Sequence, residues 1–277
     1  MTENDTVTEL LGATIQHGKL NDRIYLMSLR EAEPTHLIPA MKSLANAEGY
    51  TKIFAKVPAS KAAPFYDAGF RREAEVAGFF NGREDAVFVC AYLDEERRVS
   101  PVQKEIDAVA SHATHVERIA LAPLTGVTLR QATEADIPQM AALYRTVFRS
   151  YPFPIHDPGY LRETMTSHVD YFLVEENKTV AALSSAEMDL DNRNVEMTDF
   201  ATHEAYRGRR LAVHLLAHME QAMKARGMAC AYTIARAISY PMNLTFARLG
   251  YDHGGLLTNN TNISGQIETM AVWHKRL

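Results

Sequence analysis

The sequence predicts an α/β protein with a mixed sheet, built from two related halves. Strand-like apolar stretches alternate with stretches whose apolar residues recur at three- and four-residue spacing, the spacing of an amphipathic helix. The same order of these elements occurs twice. The chain has 277 residues, of which 47% are hydrophobic, so it can bury the cores of one or two domains.

The repeat has the order strand, helix, strand, helix and then a glycine followed by an aromatic residue. Two copies of one supersecondary plan predict related halves packed in tandem. The corresponding segments are Arg23–Leu29 and Val195–Ala201, a helix around Leu37–Glu48 and Leu211–Arg226, Gly49–Val57 and Gly227–Arg236, and Pro64–Phe70 and Asn243–Tyr251.

We predict a division into an N-terminal domain (residues 1–99), a helical connector (residues 100–125) and a catalytic domain (residues 126–277). Helical character from Gln103 to Ala113 marks the connector, and the turn residues of Ala122–Gly126 mark its end.

The second half begins with a predicted strand, Val127–Arg130, and a helix with apolar residues from Ile137 to Phe148. Thr133 and Asp136 are typical of a capping box at the start of that helix. Three further strands are predicted over Tyr171–Glu175, Thr179–Met188 and Asn194–Thr202.

The loop Tyr206–Ala212 lies between the last of these strands and a helix. The first N–H groups of a helix have no internal partners and carry about half a positive charge, so they bind anions. Gly208 lets the backbone approach a ligand, and three arginines add positive charge. The corresponding Glu31–His36 has no glycine and two carboxylates, which would repel a phosphate. We therefore predict an anionic cofactor in the second half only.

The loop resembles the acyl-CoA pyrophosphate loop of the GNAT family of N-acetyltransferases, whose pattern is Gln/Arg-x-x-Gly-x-Gly/Ala. Arg207 and Ala212 fit it, and Arg210 stands where a glycine is usual. The resemblance implies a GNAT fold over residues 126–277, a degenerate GNAT-like first half, acetyl-CoA as cosubstrate and no metal. The cofactor-binding residues it implies are Phe200, Ala201, Thr202, Arg207, Gly208, Arg209, Arg210, Leu211, Ala212, Asn243 and Phe246.

Two of these residues have alternatives. Asn243 matches an asparagine that commonly contacts the cofactor arm in the family, but a helix N-cap is the other interpretation. Phe246 stands where many relatives have a tyrosine that protonates the departing thiolate, and phenylalanine has no proton to give. The acid stays unassigned, although Tyr232, Tyr240 and Tyr251 are nearby in the sequence.

Direct attack on a thioester needs a neutral amine. A lysine-type ammonium has a pKa of about 10.4, so a carboxylate that removes its proton contributes about 10²–10⁴ in rate. Glu196 and Asp199 lie on the strand that leads to the loop. Alternation puts them on opposite faces unless a bulge intervenes, so either can be the base. Glu187 and Asp189 are candidates for binding a cationic substrate.

A closer resemblance rests on Ile15–Met27, Tyr50–Pro58 and Asn259–Ile263, which together look like the family of β-lysine N6-acetyltransferases. It implies acetyl transfer to the terminal amine of β-lysine, which gives the compatible solute N6-acetyl-β-lysine. A lysine 2,3-aminomutase would supply the substrate. The alternatives are an acetyltransferase of another small amine or a protein lysine, and a sensor that binds acetyl-CoA without turnover.

Amide side chains can bind the carboxylate and the amine of an amino acid, which predicts substrate contacts for Asn259, Asn260 and Asn262. A turn between the last strands is the alternative. His17 and Arg23 offer the same choice between a substrate contact and a structural role.

The composition excludes other classes of function. A net charge of −5 and a pI near 6.1 argue against binding to nucleic acid or a membrane surface. Cys90 and Cys230 lie in apolar runs, which predicts buried thiols. The acidic, polar start of the chain is unlike a secretion signal, so we expect a cytoplasmic protein that binds a small amine. The oligomeric state stays open, with a homodimer as one alternative.

Overall fold

A computed structural model describes residues 5–149, 151–263 and 265–277. Within these ranges, one mixed sheet of 13 strands is covered by seven α-helices, none of them long and apolar enough to cross a membrane. The strands are β1 (Thr6–Leu10), β2 (Ala13–Gly18), β3 (Arg23–Ser28), β4 (Lys52–Pro58), β5 (Arg71–Phe80), β6 (Glu84–Tyr92), β7 (Thr128–Gln131), β8 (Val169–Glu176), β9 (Thr179–Asp189), β10 (Asn194–Thr202), β11 (Cys230–Arg236), β12 (Asp252–Ile263) and β13 (Gln266–Arg276). The helices are α1 (Pro34–Glu48), α2 (Ala63–Asp67), α3 (Gln103–Thr114), α4 (Ile137–Val147), α5 (Pro158–Met165), α6 (Leu211–Ala225) and α7 (Tyr240–Arg248).

The strand order is β1-β2-β3-β4-β6-β5-β12-β13-β11-β10-β9-β8-β7, and one substructure occurs in it twice. In each half an antiparallel pair leads into two parallel strands joined by a long helix, as β2–β3–α1–β4 and as β9–β10–α6–β11. A shorter helix and an antiparallel hairpin follow in both halves, as α2–β5–β6 and as α7–β12–β13. The structure therefore contains the predicted repeat as a repeat of topology, while the division into three domains stays a prediction.

The two halves join where β5 meets β12, through the single pair of Gly255 with Ala74. The φ of Gly255 is 138°, and a Cβ there would lie 2.3 Å from the carbonyl oxygen of Glu73. The strands can therefore approach only because this residue has no side chain. Beside the junction, the buried Lys52 ammonium donates to the Glu73 carboxylate and to the Thr258 carbonyl, both at 2.8 Å. Thr258 belongs to the second half, so the hydrogen bond from Lys52 to its carbonyl ties the halves together.

Two arginines of the first half also hold the asparagine-rich part of β12. Nη1 of Arg23 donates to the carbonyl of Asn260 at 2.5 Å and to Oγ1 of Thr261 at 3.2 Å. Nε of Arg97 donates to the carbonyl of Asn259 at 3.0 Å, and the Asn259 amide donates to the carbonyl of Arg97 at 2.9 Å. The asparagine-rich run is therefore part of the contact between the halves.

Elements with a strong local signal lie where the sequence predicts them. Strand β10 has the predicted bounds, and Thr133 and Asp136 form the capping box. Cys90 and Cys230 are buried free thiols, as predicted. Helix α5 and strand β1 were not predicted, because α5 buries only Leu161 and β1 is almost wholly exposed. Without an apolar face, neither has a periodic signal.

Candidate active site

A cavity of about 400 Å³ lies between the two halves, a volume typical of small-molecule sites. Its walls come from β2, β3 and β4 of the first half and from β9 to β13 and residues 151–153 of the second. The cationic lining residues belong to the first half and the acidic ones to the second: Arg23, Arg30 and Lys56 against Glu187, Asp189, Glu196 and Asp199. The cavity is therefore electrostatically polarised.

A β-bulge in β10 brings Asp199 into this cavity. Between the paired residues Thr198 and Ala201, β10 has one more residue than β9. Asp199 takes a left-handed backbone φ of 57° within the bulge, and its side chain reaches the same cavity wall as Glu196. The bulge therefore places on one wall two carboxylates that regular alternation would separate.

Glu196 and Glu187 lie opposite each other on β10 and β9. Burial and the negative charges of the neighbouring carboxylates raise the pKa of Glu187 well above its ordinary value. Burial raises the pKa of Glu196 to about 7, although the charge of Lys56 and a hydrogen bond from Tyr232 oppose the shift. A carboxyl group that titrates near neutrality can accept a proton at physiological pH.

Two hydroxyl groups hold the carboxylate of Asp199, which is 6% exposed. The Tyr151 hydroxyl donates to Oδ1, and the Ser185 hydroxyl donates to Oδ2 at 2.6 Å. Burial raises the pKa of Asp199, and these hydrogen bonds oppose the shift. Both carboxylate oxygens of Asp199 therefore already accept hydrogen bonds from neighbouring side chains.

The parallel strands β10 and β11 separate beyond Glu196 and Tyr232, their last paired residues. Backbone groups on the facing edges then have no strand partner and can bind a ligand. A second cavity of about 80 Å³ lies in this gap. Both cavities are lined by Tyr151, Thr198, Asp199, Ile234, Ile263 and Met270. A ligand in the gap would therefore meet a ligand in the larger cavity at the bulge.

The loop before α6 has the features of an anion site. Gly208 has a φ of 82° and Arg210 a φ of 58°, so the backbone turns twice through the left-handed region. Within the described ranges no side chain caps α6 at its N-terminus, so its first N–H groups can bind a ligand. Arg207 and Arg210 are exposed, whereas Arg209 forms an ion pair with Glu176 at 2.9 Å. These groups fit a diphosphate.

We expect Arg210→Gly to stabilise the protein. A left-handed backbone costs a residue other than glycine about 1–2 kcal/mol, offset by glycine's greater freedom in the unfolded chain. The free energy of unfolding in urea should therefore rise by up to about 1 kcal/mol. Arg207 has a φ of −64° and a ψ of 158°, an ordinary extended backbone. Arg207→Gly therefore relieves no backbone strain and serves as the control. A fall in stability with Arg210→Gly would contradict this backbone path.

Asn243 and Phe246, both predicted cofactor contacts, are buried behind the gap and line neither cavity. Asn243 lies inside α7, where its amide donates to three carbonyls at 2.8–3.2 Å and its oxygen accepts from Trp273 at 2.8 Å. The N-cap alternative is wrong, because the N-cap of α7 is Ser239. Phe246 is fully buried and packs edge-on against Phe200, which itself lines the gap. Both residues therefore stabilise the elements that form the gap, by hydrogen bonds from Asn243 and by the packing of Phe246 against Phe200.

Most of the predicted substrate contacts point away from the larger cavity. On β2, Gln16 lines the cavity, and the adjacent His17 bonds the Tyr50 hydroxyl at 3.0 Å instead. On β12, Thr261 lines the cavity. Successive side chains of a strand face opposite sides, so His17 faces away from the cavity that Gln16 lines. Of the predicted candidates, Glu187, Asp189 and Arg23 line the cavity, whereas His17, Asn259, Asn260 and Asn262 do not.

Sequence reasoning missed Tyr151 and Lys56, and among a set of buried polar groups around the cavity it singled out only Arg23. Four lining residues each have a buried atom without a hydrogen-bond partner in the described ranges: Thr14 (Oγ1), Gln16 (Nε2), Arg23 (Nε) and Asn194 (Nδ2). The sequence pattern that predicts Thr14 and Gln16 as lining residues is the alternation in β2. Its polar residues Thr14 and Gln16 alternate with the apolar residues Ala13 and Ile15, which pack in the core with α1.

The sequence model of the acetyltransferase (GNAT) family matches residues 138–251, which include the bulge, the gap and the loop. The chain is 39% identical to the β-lysine N(6)-acetyltransferase of Methanococcus maripaludis, over 98% of each chain. It is 31% identical to the β-lysine N(6)-acetyltransferase of Methanosarcina mazei, over 86% of this chain and 96% of that protein. It is 29% identical to the N-acetyltransferase YodP of Bacillus subtilis, over 96% of each chain.

Proposed function

Because the chain belongs to the acetyltransferase (GNAT) family, we propose that it transfers the acetyl group of acetyl-CoA to the terminal amine of β-lysine. The polarised cavity carries this proposal, since its cations come from one half and its carboxylates from the other. β-Lysine has two ammonium groups and one carboxylate, so each part of the molecule meets opposite charge. Two relatives named for this activity, at 39% and 31% identity, support the assignment.

Acetyl-CoA supplies an acyl group that is activated as a thioester. The N–H groups at the start of α6, with Arg207 and Arg210, would bind its diphosphate. The separated edges of β10 and β11 would bind the amides of its pantetheine arm. Both cavities meet at Thr198 and Asp199, so the residues present fit an acyl end at the bulge.

Glu196 acts as the general base in this proposal. Its pKa of about 7 lets it take a proton from the substrate ammonium, directly or through water. Glu187 and Asp199 add negative charge around the ammonium and hold it at the bulge. A backbone N–H at the bulge can donate to the oxygen that gains negative charge during attack. The thiol of the leaving group has an ordinary pKa of about 8.5, so it can depart as a thiolate.

The product of this reaction has one positive charge fewer than β-lysine, because an amide is not protonated at neutral pH. It is then a zwitterion without net charge, a type of molecule suited to high intracellular concentration. Our proposal therefore includes a role of the product as a compatible solute. It also includes a cytoplasmic location and a lysine 2,3-aminomutase reaction as the source of substrate.

The test follows thiol release from acetyl-CoA with a panel of amines. The panel contains β-lysine, α-lysine, spermidine and a lysine-containing peptide. We expect kcat/KM for β-lysine to exceed that for spermidine by at least about tenfold, since spermidine has no carboxylate to pair with the cationic wall and one such pairing contributes about 1.5 kcal/mol or more, about tenfold. Turnover only with another amine would contradict the substrate. Binding of acetyl-CoA without any release would favour the sensor alternative.

A further inference from the structure

The wall of the cavity that the first half supplies has donors without acceptors. Gln16 and Arg23, on the neighbouring strands β2 and β3, are only 2% and 4% exposed. Nε2 of Gln16 and Nε of Arg23 have no hydrogen-bond partner within the described residues, although both side chains line the cavity. Leaving such a group unpaired is costly. An acceptor supplied by a ligand would remove that cost.

Arg23 is also a buried cation whose hydrogen bonds, within the described ranges, go to neutral oxygens. Nη1 donates to the Asn260 carbonyl at 2.5 Å and to the Thr261 hydroxyl at 3.2 Å, which fixes the guanidinium. Cζ lies 5.3 Å from the ring centre of Tyr25 and 5.5 Å from that of Phe54. Burial lowers the pKa of Arg23 to about 10, although the charges of Tyr25 and Asp5 partly oppose the shift. The site is therefore built for an anion.

We propose that Gln16 and Arg23 form the carboxylate-binding subsite of the cavity, so that the half without a cofactor loop selects amino acids over amines that lack a carboxylate. A carboxylate is the matching group because its oxygens only accept hydrogen bonds and the two unpaired atoms are donors. The opposite wall, with Glu187, Glu196 and Asp199, repels a carboxylate and attracts ammonium groups. This division directs the terminal amine to the bulge. The inference rests on the proposed function and adds to it the two residues that bind the carboxylate of the substrate.

The test compares β-lysine with 1,4-diaminopentane, which is β-lysine without its carboxylate. The natural protein should prefer β-lysine by at least about 100-fold in kcat/KM, since two donors are left unpaired by the diamine. Gln16→Met removes one donor at similar volume, and Arg23→Gln removes the charge. Each should lower the preference for β-lysine over the diamine by about 10- to 100-fold. Gln221→Met, on the exposed side of α6, is the control for the substitution itself.

The outcomes separate the subsite from the proposed function. An unchanged preference in Gln16→Met would overturn the subsite and leave acetylation of β-lysine intact. Equal losses with both substrates would also overturn it, because they would mean that Gln16 only supports the fold. Turnover of the diamine but not of β-lysine by the natural protein would overturn the proposed function. Binding of acetyl-CoA by each variant checks that Arg23→Gln, which loses a contact between the halves, still folds.

Discussion

Glu196→Gln should lower kcat/KM by about 10²–10⁴-fold at neutral pH and leave the binding of acetyl-CoA unchanged. Glutamine keeps the shape of the side chain but cannot accept the proton. Activity of the natural protein should fall about tenfold per pH unit below the Glu196 pKa of about 7 and level off above it. The variant should lack this dependence and recover partly at high pH, where more of the amine is neutral.

The same substitution should stabilise the protein, with a defined dependence on pH. The pKa of Glu196 is about 7 in the folded protein against an ordinary value of 4.5, so the folded state binds the proton more tightly. Deprotonation therefore destabilises the fold, and stability is lost as pH rises between these two values. The Tm of Glu196→Gln should equal that of the natural protein below about pH 4.5 and exceed it above about pH 7.

Glu117→Gln is the matched control, because Glu117 is exposed and outside both cavities. It should change neither kcat/KM nor the Tm. An unchanged kcat/KM in Glu196→Gln would move the base elsewhere. Asp199→Asn tests the same assignment independently, because the charge of Asp199 raises the pKa of Glu196. If Glu196 is the base, Asp199→Asn should shift the activity profile to lower pH.

Reversing the charge of both exposed loop arginines, in Arg207→Glu with Arg210→Glu, should raise the KM for acetyl-CoA by about 10²–10⁴-fold. A charge-assisted hydrogen bond contributes about 1.5–3 kcal/mol, and two such contacts to a diphosphate are lost. The value of kcat at saturating acetyl-CoA should change little. The group proposed for proton transfer, Glu196, lines the larger cavity, which neither arginine lines. Initial rates at varied acetyl-CoA measure both effects.

Arg71→Glu with Arg83→Glu is the control for this double variant. Both arginines are exposed in the first half, and the pair changes the net charge by the same amount. Its KM for acetyl-CoA should equal that of the natural protein. A similar rise in KM would mean that the overall charge steers acetyl-CoA and that the loop does not bind it. Arg209→Ala should have a smaller effect, because Arg209 is already paired with Glu176.

The sequence predicts the features that depend on local patterns. Strand β10 has its predicted bounds because its apolar residues are bounded by polar turns, and the capping box at Thr133 needs only two residues three positions apart. The repeat of topology is visible because each copy has its own periodicity. The left-handed φ of Arg210 also shows why a glycine is usual there.

The sequence does not predict which side chains converge from distant elements. A single extra residue in β10 decides that Asp199 and Glu196 share a wall. Tyr151 precedes Asp199 by 48 positions, so their hydrogen bond has no local signal. Choosing His17 over Gln16 was a choice between the two faces of β2, which depends on the tertiary packing.

The most direct test of the account is the identity of the product when β-lysine and acetyl-CoA are incubated with the protein. Fragmentation in a mass spectrometer distinguishes an acetyl group on the terminal amine from one on the amine nearer the carboxylate. We predict one acetyl group, on the terminal amine, since Gln16 and Arg23 hold the carboxylate away from the bulge. Acetylation of the inner amine, or no acetylated product, would contradict the account.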